Sequence, residues 1–139
     1  MGQSFRCVPL DEALIDQVFP LLAVHEPWLT PESWRKEARR WLAASSAQGA
    51  FVALRDEFAR GILLYDVMPE AVDGRRCPVL RITAVLVFDL LFANDIAGAL
   101  VEAAERYACV MGYAGVAVSA FCPRDKPALR GLHVAGPVA

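Results

Sequence analysis

Apolar residues in the first part of the chain recur at helical spacing. A helix over residues 10–22 is predicted by four apolar positions that would share one face, Leu10, Leu14, Val18 and Leu21. Asp11 and Glu12 stand in its first turn, where the helix dipole favours acidic side chains. Pro20 predicts an end or a kink near that position. A short strand over 4–8 precedes this helix.

A second helix is marked by its start signal. Thr30 offers an N-cap hydroxyl, and Pro31 and Glu32 follow at the first helical positions. The helix is predicted to extend to about Ser45. Its apolar face would comprise Trp34, Ala38, Trp41 and Leu42.

Three apolar runs downstream have the composition of strands. The runs over 50–54 and 61–68 flank a polar tripeptide at 55–57, which predicts a hairpin. After a polar loop over 69–78, the run over 79–88 is almost continuously apolar. A central strand covered on both faces is typically of this kind.

The longest helical pattern follows that central strand. Apolar residues keep helical spacing over 95–111, Asn94 or Asp95 is expected to cap the start, and Gly112 is expected to end the helix. Gly98 is interpreted as a close-packing point of this helix against the sheet.

The order of elements predicts one domain over residues 1–139. A strand over 115–121 would pair in parallel with the strand over 79–88, and a short helix over 125–135 would follow. The fold class is therefore α/β or α+β, with a mixed central sheet and helices on both faces.

Composition narrows the class of protein. The chain has 139 residues, 56% of them hydrophobic, and a formal net charge of −2. This is enough apolar material for a core, and a nucleic-acid binder would usually be more basic. No apolar run is long enough to span a membrane, and residues 1–9 contain no signal-peptide core, so we expect a cytoplasmic protein.

The cysteines show no metal or redox motif. None stands in a CxxC spacing, so buried thiols are expected and a zinc site is not. They are Cys7, Cys77, Cys109 and Cys122.

The order of elements and one motif resemble the GNAT superfamily of acyl-CoA-dependent N-acyltransferases. The segment over 85–100, VLVFDLLFANDIAGAL, stands where that family has V-x-P-x-x-R-x-x-G-x-G-x-x-L. Gly61, and the eight-residue spacing of Ala128 and Gly136, also match family positions. The resemblance covers most of the chain and is strongest over 79–119.

The resemblance implies a site for acetyl-CoA. The backbone at Val85 and Val87 would pair with pantetheine, and a backbone N–H near Val87 would polarise the thioester carbonyl. The following turn and helix N-terminus would offer N–H groups to the pyrophosphate. The implied turn residues are Phe92, Asn94, Asp95, Ile96, Ala97 and Gly98.

This motif departs from the family pattern in its charge. The family arginine aligns with Phe92, its glycines align with Asp95 and Ala97, and no Lys or Arg occurs over 83–104. Asp89 and Asp95 flank the turn, where carboxylates would satisfy its donors and repel a phosphate. Basic residues that would offset this are Arg124, Lys126 and Arg130.

The sequence assigns no catalytic residue. The family's tyrosine acid aligns with Leu132, beside His133, and its asparagine aligns with Asp125. His25 is a candidate for the wall of the acceptor pocket. The candidates for a general base are Asp66, Glu70 and Asp73.

Two functions are therefore compatible with the sequence. The first is a GNAT-like N-acyltransferase, with an activity that could be weak or lost, that transfers acetyl from acetyl-CoA to a small-molecule or peptide amine. The second is an inactive GNAT-fold protein that acts as an interaction or dimerisation module. Because the family's last two strands would be missing or reduced here, the strand over 115–121 would expose an edge to a partner or a second copy.

Overall fold

The computed structural model describes residues 5–43, 47–69, 71–72, 75–76 and 78–118. The elements follow the predicted order, with an added pair of two-residue strands in the polar loop. They are β1 (Arg6–Pro9), α1 (Glu12–His25), α2 (Pro31–Trp41), β2 (Gln48–Arg55), β3 (Phe58–Met68), β4 (Ala71–Val72), β5 (Arg75–Arg76), β6 (Val79–Val87), α3 (Ala93–Met111) and β7 (Gly115–Val118).

One mixed sheet organises the domain. Its strand order is β1-β2-β3-β6-β7, and β4 pairs only with β5. Neighbouring strands are antiparallel except β6 and β7, which α3 joins as a parallel pair. The prediction of a mixed α/β sheet with a crossover helix is confirmed.

Alternation along the strands divides the core between the two faces of the sheet. In β2, Val52 and Leu54 pack with α1 and α2, whereas Phe51 and Ala53 pack with α3. Successive side chains of a strand point to opposite faces, so both sets are buried at once. The prediction of helices on both faces is confirmed.

A β-bulge in β6 changes this alternation. Leu64 of β3 pairs with Ala84, but the next residue, Tyr65, pairs with Ile82, so Thr83 is an extra residue. Its hydroxyl donates to the carbonyl oxygen of Leu64 over 3.2 Å. As a consequence Ile82 and Val85, three apart, both pack towards α3.

The hairpin between β2 and β3 has a two-residue turn. Asp56 and Glu57 both have positive φ, 55° and 66°. Two consecutive left-handed residues are what a tight hairpin with native strand twist requires. The turn places Arg55 and Arg60 at the same end of the sheet as the last residue of β6, because Gly61 pairs with Val87.

The C-terminal ends of α1 and α2 differ from prediction. α1 continues through Pro20, which is exposed, and ends at His25. α2 ends at Trp41 rather than near Ser45, after the expected start at Thr30 and Pro31. Gly112 ends α3 with a φ of 77°, as predicted.

The start of α3 corrects one expectation. The N-cap is Phe92, which makes no side-chain capping hydrogen bond, and the first helical residue is Ala93. Asn94 and Asp95 are therefore the second and third helical residues, not caps. The carboxylate of Asp89, four residues upstream of Ala93, arranges this turn instead, as described below.

The cysteines are less buried than expected. Cys109 is exposed, and Cys7 is half-buried, where burial raises the pKa of its thiol. Cys77 and Cys122, like the helix predicted over 125–135, lie outside the described residues. None of the described helices has the length and apolarity needed to span a bilayer.

Gly61 of β3 and Gly98 of α3 lie in opposite surroundings. A Cβ on Gly61 would lie 3.0 Å from Cγ2 of Ile96 and 3.2 Å from Cδ1 of Leu100. Gly98 is exposed and has open space around its missing Cβ. Gly61 is thus the close-packing point, and the expectation that Gly98 serves in this way is wrong.

We therefore expect opposite effects from two alanine substitutions. Gly61→Ala should lower the free energy of unfolding by about 1–3 kcal/mol because it overpacks the contact between α3 and β3. Gly98→Ala should raise it by about 0.5–1 kcal/mol because alanine favours a helix interior. Urea denaturation of both variants measures this. Equal effects of the two substitutions would contradict the packing described here.

Candidate functional site

Among the described residues, the second half of β6 has a partner strand on one side only. The described part of β7 pairs with β6 up to Ile82, which lies opposite Val118. From Ala84 to Val87 the backbone of β6 pairs with β3, and no other described residue pairs with it. Val85 is buried towards α3 and Val87 is half-buried, so their side chains hold the strand in place.

A carboxylate organises the turn that follows β6. Oδ1 of Asp89 accepts hydrogen bonds from the N–H groups of Leu91 and Phe92 over 3.0 and 2.9 Å. Its Oδ2 accepts from Nη1 of Arg55, and the side chain of Asp89 is only 4% exposed. Two backbone donors of the turn are therefore already satisfied, as the sequence indicated.

These contacts also set the charge of Asp89. The hydrogen bond from the Phe92 N–H has the largest effect and lowers the pKa of the carboxyl; burial opposes it, and the Leu91 N–H and Arg55 add to the lowering. The net shift is downward, so Asp89 is a carboxylate at neutral pH. Its negative charge is compensated by Arg55 at the same place.

The start of α3 presents donors that are still free. Among the described residues, none accepts a hydrogen bond from the N–H groups of Ala93, Asn94 or Asp95. The N–H of Ile96 is the first to be used within the helix, donating to the Phe92 carbonyl oxygen over 2.9 Å. Unpaired N–H groups and the helix dipole make this end of α3 favourable for an anion.

The side chains of this first turn divide between core and solvent. Ile96 is fully buried and Ala97 packs against the same core, so both anchor the helix on the sheet. Asn94, Asp95 and Gly98 are exposed. The carboxylate of Asp95 has no described partner and places a negative charge beside the free N–H groups.

Two arginines of the hairpin approach the turn from β2 and β3. Cζ of Arg55 lies 5.0 Å from the centroid of the Phe92 ring, within range of a cation–π contact. Arg55 and Arg60 line an open cavity of about 730 Å³ together with the turn residues Val87, Phe88, Asp89, Leu90 and Leu91. Sequence reasoning missed both arginines, although the antiparallel register of the hairpin with the central strand would have located them.

The residues that the sequence suggested for catalysis do not come together at this turn within the described part of the chain. Asp66 is held by Arg81, whose Nε and Nη2 donate to its two carboxylate oxygens over 3.0 and 2.7 Å. His25 is the last residue of α1, and its buried Nδ1 has no described partner. The other candidates lie outside the described residues: Glu70, Asp73, Arg124, Asp125, Lys126, Arg130, Leu132 and His133.

A cluster of aromatic side chains occupies the other end of the sheet. Tyr65 and Tyr107 pack with ring centroids 5.8 Å apart, and Phe51 and Tyr113 join them. Burial, followed by the neighbouring Tyr107, raises the pKa of Tyr65, which therefore stays protonated. Tyr65 pairs across from Ile82, whereas the turn follows Val87, so this cluster is remote from the turn.

The described residues contain no metal-binding cluster. No group of three or more His, Cys, Asp or Glu side chains among them is arranged to hold an ion. The site in the described part of the chain is thus built from backbone donors, one compensated carboxylate and two arginines.

Comparison with known proteins identifies the fold. No protein-family model and no curated protein matches the sequence. Several solved structures match the fold of this chain. An aminoglycoside N-acetyltransferase, AAC(6')-Iy, in complex with CoA, superposes with a TM-score of 0.80 at 17% identity over 97% of this chain and 88% of that chain. The chain has the GNAT fold.

Further structures agree with this assignment. A ribosomal-protein-alanine N-acetyltransferase from Brucella melitensis biovar Abortus 2308 gives a TM-score of 0.79 at 18% identity, covering 98% of this chain and 92% of that chain. AAC(6')-Ih from Acinetobacter baumannii gives 0.76 at 19% identity, covering 95% and 88%. At such identities the likeness establishes the GNAT fold.

The network of Asp89 makes stability depend on pH. Because its pKa is lowered in the folded state, its stabilisation is present above the unfolded carboxyl pKa of about 3.9 and is lost as the pH falls through the folded value. We expect Asp89→Asn to lower Tm at neutral pH, and this difference from the wild type to shrink below about pH 4.

Thermal unfolding followed by circular dichroism across this pH range tests the expectation. Asp16→Asn is the matched control, because Asp16 forms only an exposed ion pair with Arg35 and should change Tm little. A Tm for Asp89→Asn that equals the wild-type value at neutral pH would contradict the role of this carboxylate.

Proposed function

We propose that this GNAT-fold chain is an N-acetyltransferase that transfers the acetyl group of acetyl-CoA to an amine. One observation carries the proposal. After Thr83, the side of β6 away from β3 has no partner among the described residues, and a short turn connects this strand to the N–H groups of Ala93, Asn94 and Asp95, which also have no described acceptor. A ligand with amide groups at one end and phosphates at the other would match this line of backbone groups.

The strand half of the site would bind the pantetheine arm. Pantetheine carries amides that can pair with a free strand edge as another strand would. Val85 and Val87 fix the edge through their packing towards α3. A backbone N–H near Val87 would then lie beside the thioester and stabilise the charge that develops on its carbonyl oxygen.

The helix half of the site would bind the pyrophosphate. The three free N–H groups supply donors, Phe92 ends the turn, and the small exposed Gly98 leaves room beside the first helical turn. Ile96 and Ala97 contribute by anchoring α3 rather than by contact. Asp95 opposes binding, because its charge is of the same sign as the phosphates.

The acceptor would enter from the opposite face of the sheet. Acetyl-CoA supplies an activated acyl group, and the protein must orient an amine towards it and accept the proton of that amine. The loop after α1, beginning beside His25, and the start of α2 border this face. Solved neighbours named as aminoglycoside and ribosomal-protein-alanine acetyltransferases support an amine acceptor.

Calorimetric titration with CoA and with acetyl-CoA, at low salt, tests the proposal. Saturable binding in the micromolar range is expected. Turnover would then be followed as release of free thiol from acetyl-CoA in a screen of aminoglycosides, polyamines and peptide N-termini. No binding up to millimolar ligand would reject the enzyme function and favour a non-catalytic GNAT-fold interaction module.

Removal of one charge from the first turn of α3 should improve binding. Asp95→Asn is expected to tighten CoA about 3- to 10-fold, because a like charge near the phosphates is lost while the side-chain size is kept. Glu102→Gln on the same helix, two turns further on and exposed, is the control and should leave Kd unchanged. An unchanged or lower affinity of Asp95→Asn for CoA would contradict placement of the phosphates at this turn.

A further inference from the structure

The turn after β6 lacks a cation of its own. The segment from Thr83 to Ala104 contains no Lys or Arg, and its acidic residues include Asp89 and Asp95. Three free N–H groups provide only partial positive charge. A ligand with several phosphate charges would need a full positive charge near the turn.

Arg60 is positioned to supply that charge. Its carbonyl oxygen accepts the N–H of Phe88 over 2.8 Å, which fixes its backbone to the first residue of the turn. Its side chain is exposed, has no ion-pair partner among the described residues, and lines the cavity of about 730 Å³. Arg60 is thus an exposed arginine on the wall of that cavity.

Arg55 places a second cation beside Phe92, the N-cap residue of α3. Phe92 stands where the related motif has arginine, and the Arg55 guanidinium lies over the ring of Phe92. Asp89 binds Nη1 of Arg55, and the other guanidinium nitrogens have no described acceptor. Arg55 is therefore held in a fixed orientation with donors remaining for a second anion.

The rest of the cavity wall is apolar. Phe88, Leu90 and Leu91 are all exposed, and Leu90 has full solvent exposure. A wall with two arginines on one side and apolar side chains on the other suits a phosphate ester that also carries a flat or apolar group. An inorganic ion would contact the two arginines but not the apolar side of the wall.

We propose that the hairpin between β2 and β3 supplies, through Arg60 and Arg55, the positive charge that binds the phosphates of the coenzyme beside the turn. This rests on the proposed function, since the phosphates are those of CoA. Arg60 is the free cation, and Arg55 is the oriented cation shared between Asp89 and phosphate. The charge of the site thus comes from neighbouring strands instead of the motif itself.

The test compares arginine variants across ligands that differ in phosphate content. CoA, dephospho-CoA and pantetheine are titrated into the wild type, Arg60→Ala, Arg60→Lys and Arg55→Ala. Arg35→Ala, which removes an exposed arginine of α2, is the matched control. Arg60→Ala should weaken CoA about 5- to 20-fold and leave pantetheine unchanged. Arg60→Lys should recover most of the loss, and the loss should diminish at high salt.

The titrations distinguish failure of the hairpin inference from failure of the proposed function. If the wild type binds CoA and neither arginine variant differs from Arg35→Ala, the hairpin inference is wrong and the proposed function stands. Equal weakening of CoA and pantetheine would also overturn it, because pantetheine has no phosphate. If the wild type binds no CoA, the proposed function and the hairpin inference are both wrong. Should Arg55→Ala fail to fold, Arg60→Ala decides alone, since its side chain has no described ion-pair partner.

Discussion

The bulged ladder between β3 and β6 is the constraint on which the rest of the site depends. The extra residue at Thr83 shifts the alternation of β6 by one, so Ile82 before it and Val85 after it face α3 together. A bulge also increases local twist, and the described part of β7 pairs with β6 as far as Ile82, the residue before the bulge. The same ladder carries Arg60 and Gly61 to the end of β6, beside Phe88 and Val87.

Close packing at Gly61 completes this arrangement. Because Gly61 has no side chain, Ile96 and Leu100 of α3 lie directly over β3. The N-terminus of α3, with the N–H groups of Ala93, Asn94 and Asp95 that have no described acceptor, thereby follows β6 after five residues. A short turn then suffices to connect strand and helix, and Asp89 stabilises it by accepting two N–H groups and Arg55.

The electrostatics of this turn differ from what the linear motif suggests. In the sequence, the turn contains two acidic residues and no basic residue, which indicates a poor site for phosphate. In the fold, Asp89 is compensated by Arg55, Arg60 adds a positive charge with no ion-pair partner among the described residues, and of these two acids only Asp95 has no described partner. Charges act through space, so a residue on a neighbouring strand can replace one in the motif.

Periodicity in the sequence was sufficient for the order of elements, the hairpin and the buried faces of α1 and α3. The resemblance to the GNAT family rested on that order together with the motif over 85–100. These features depend on local spacing of apolar residues, which a single chain shows directly. The cap of α3, the passage of α1 through Pro20, the roles of Gly61 and Gly98, and the approach of Arg55 and Arg60 were decided by tertiary structure. Each depends on which distant residues meet across the sheet, and the register of strands that brings them together is not written in local spacing.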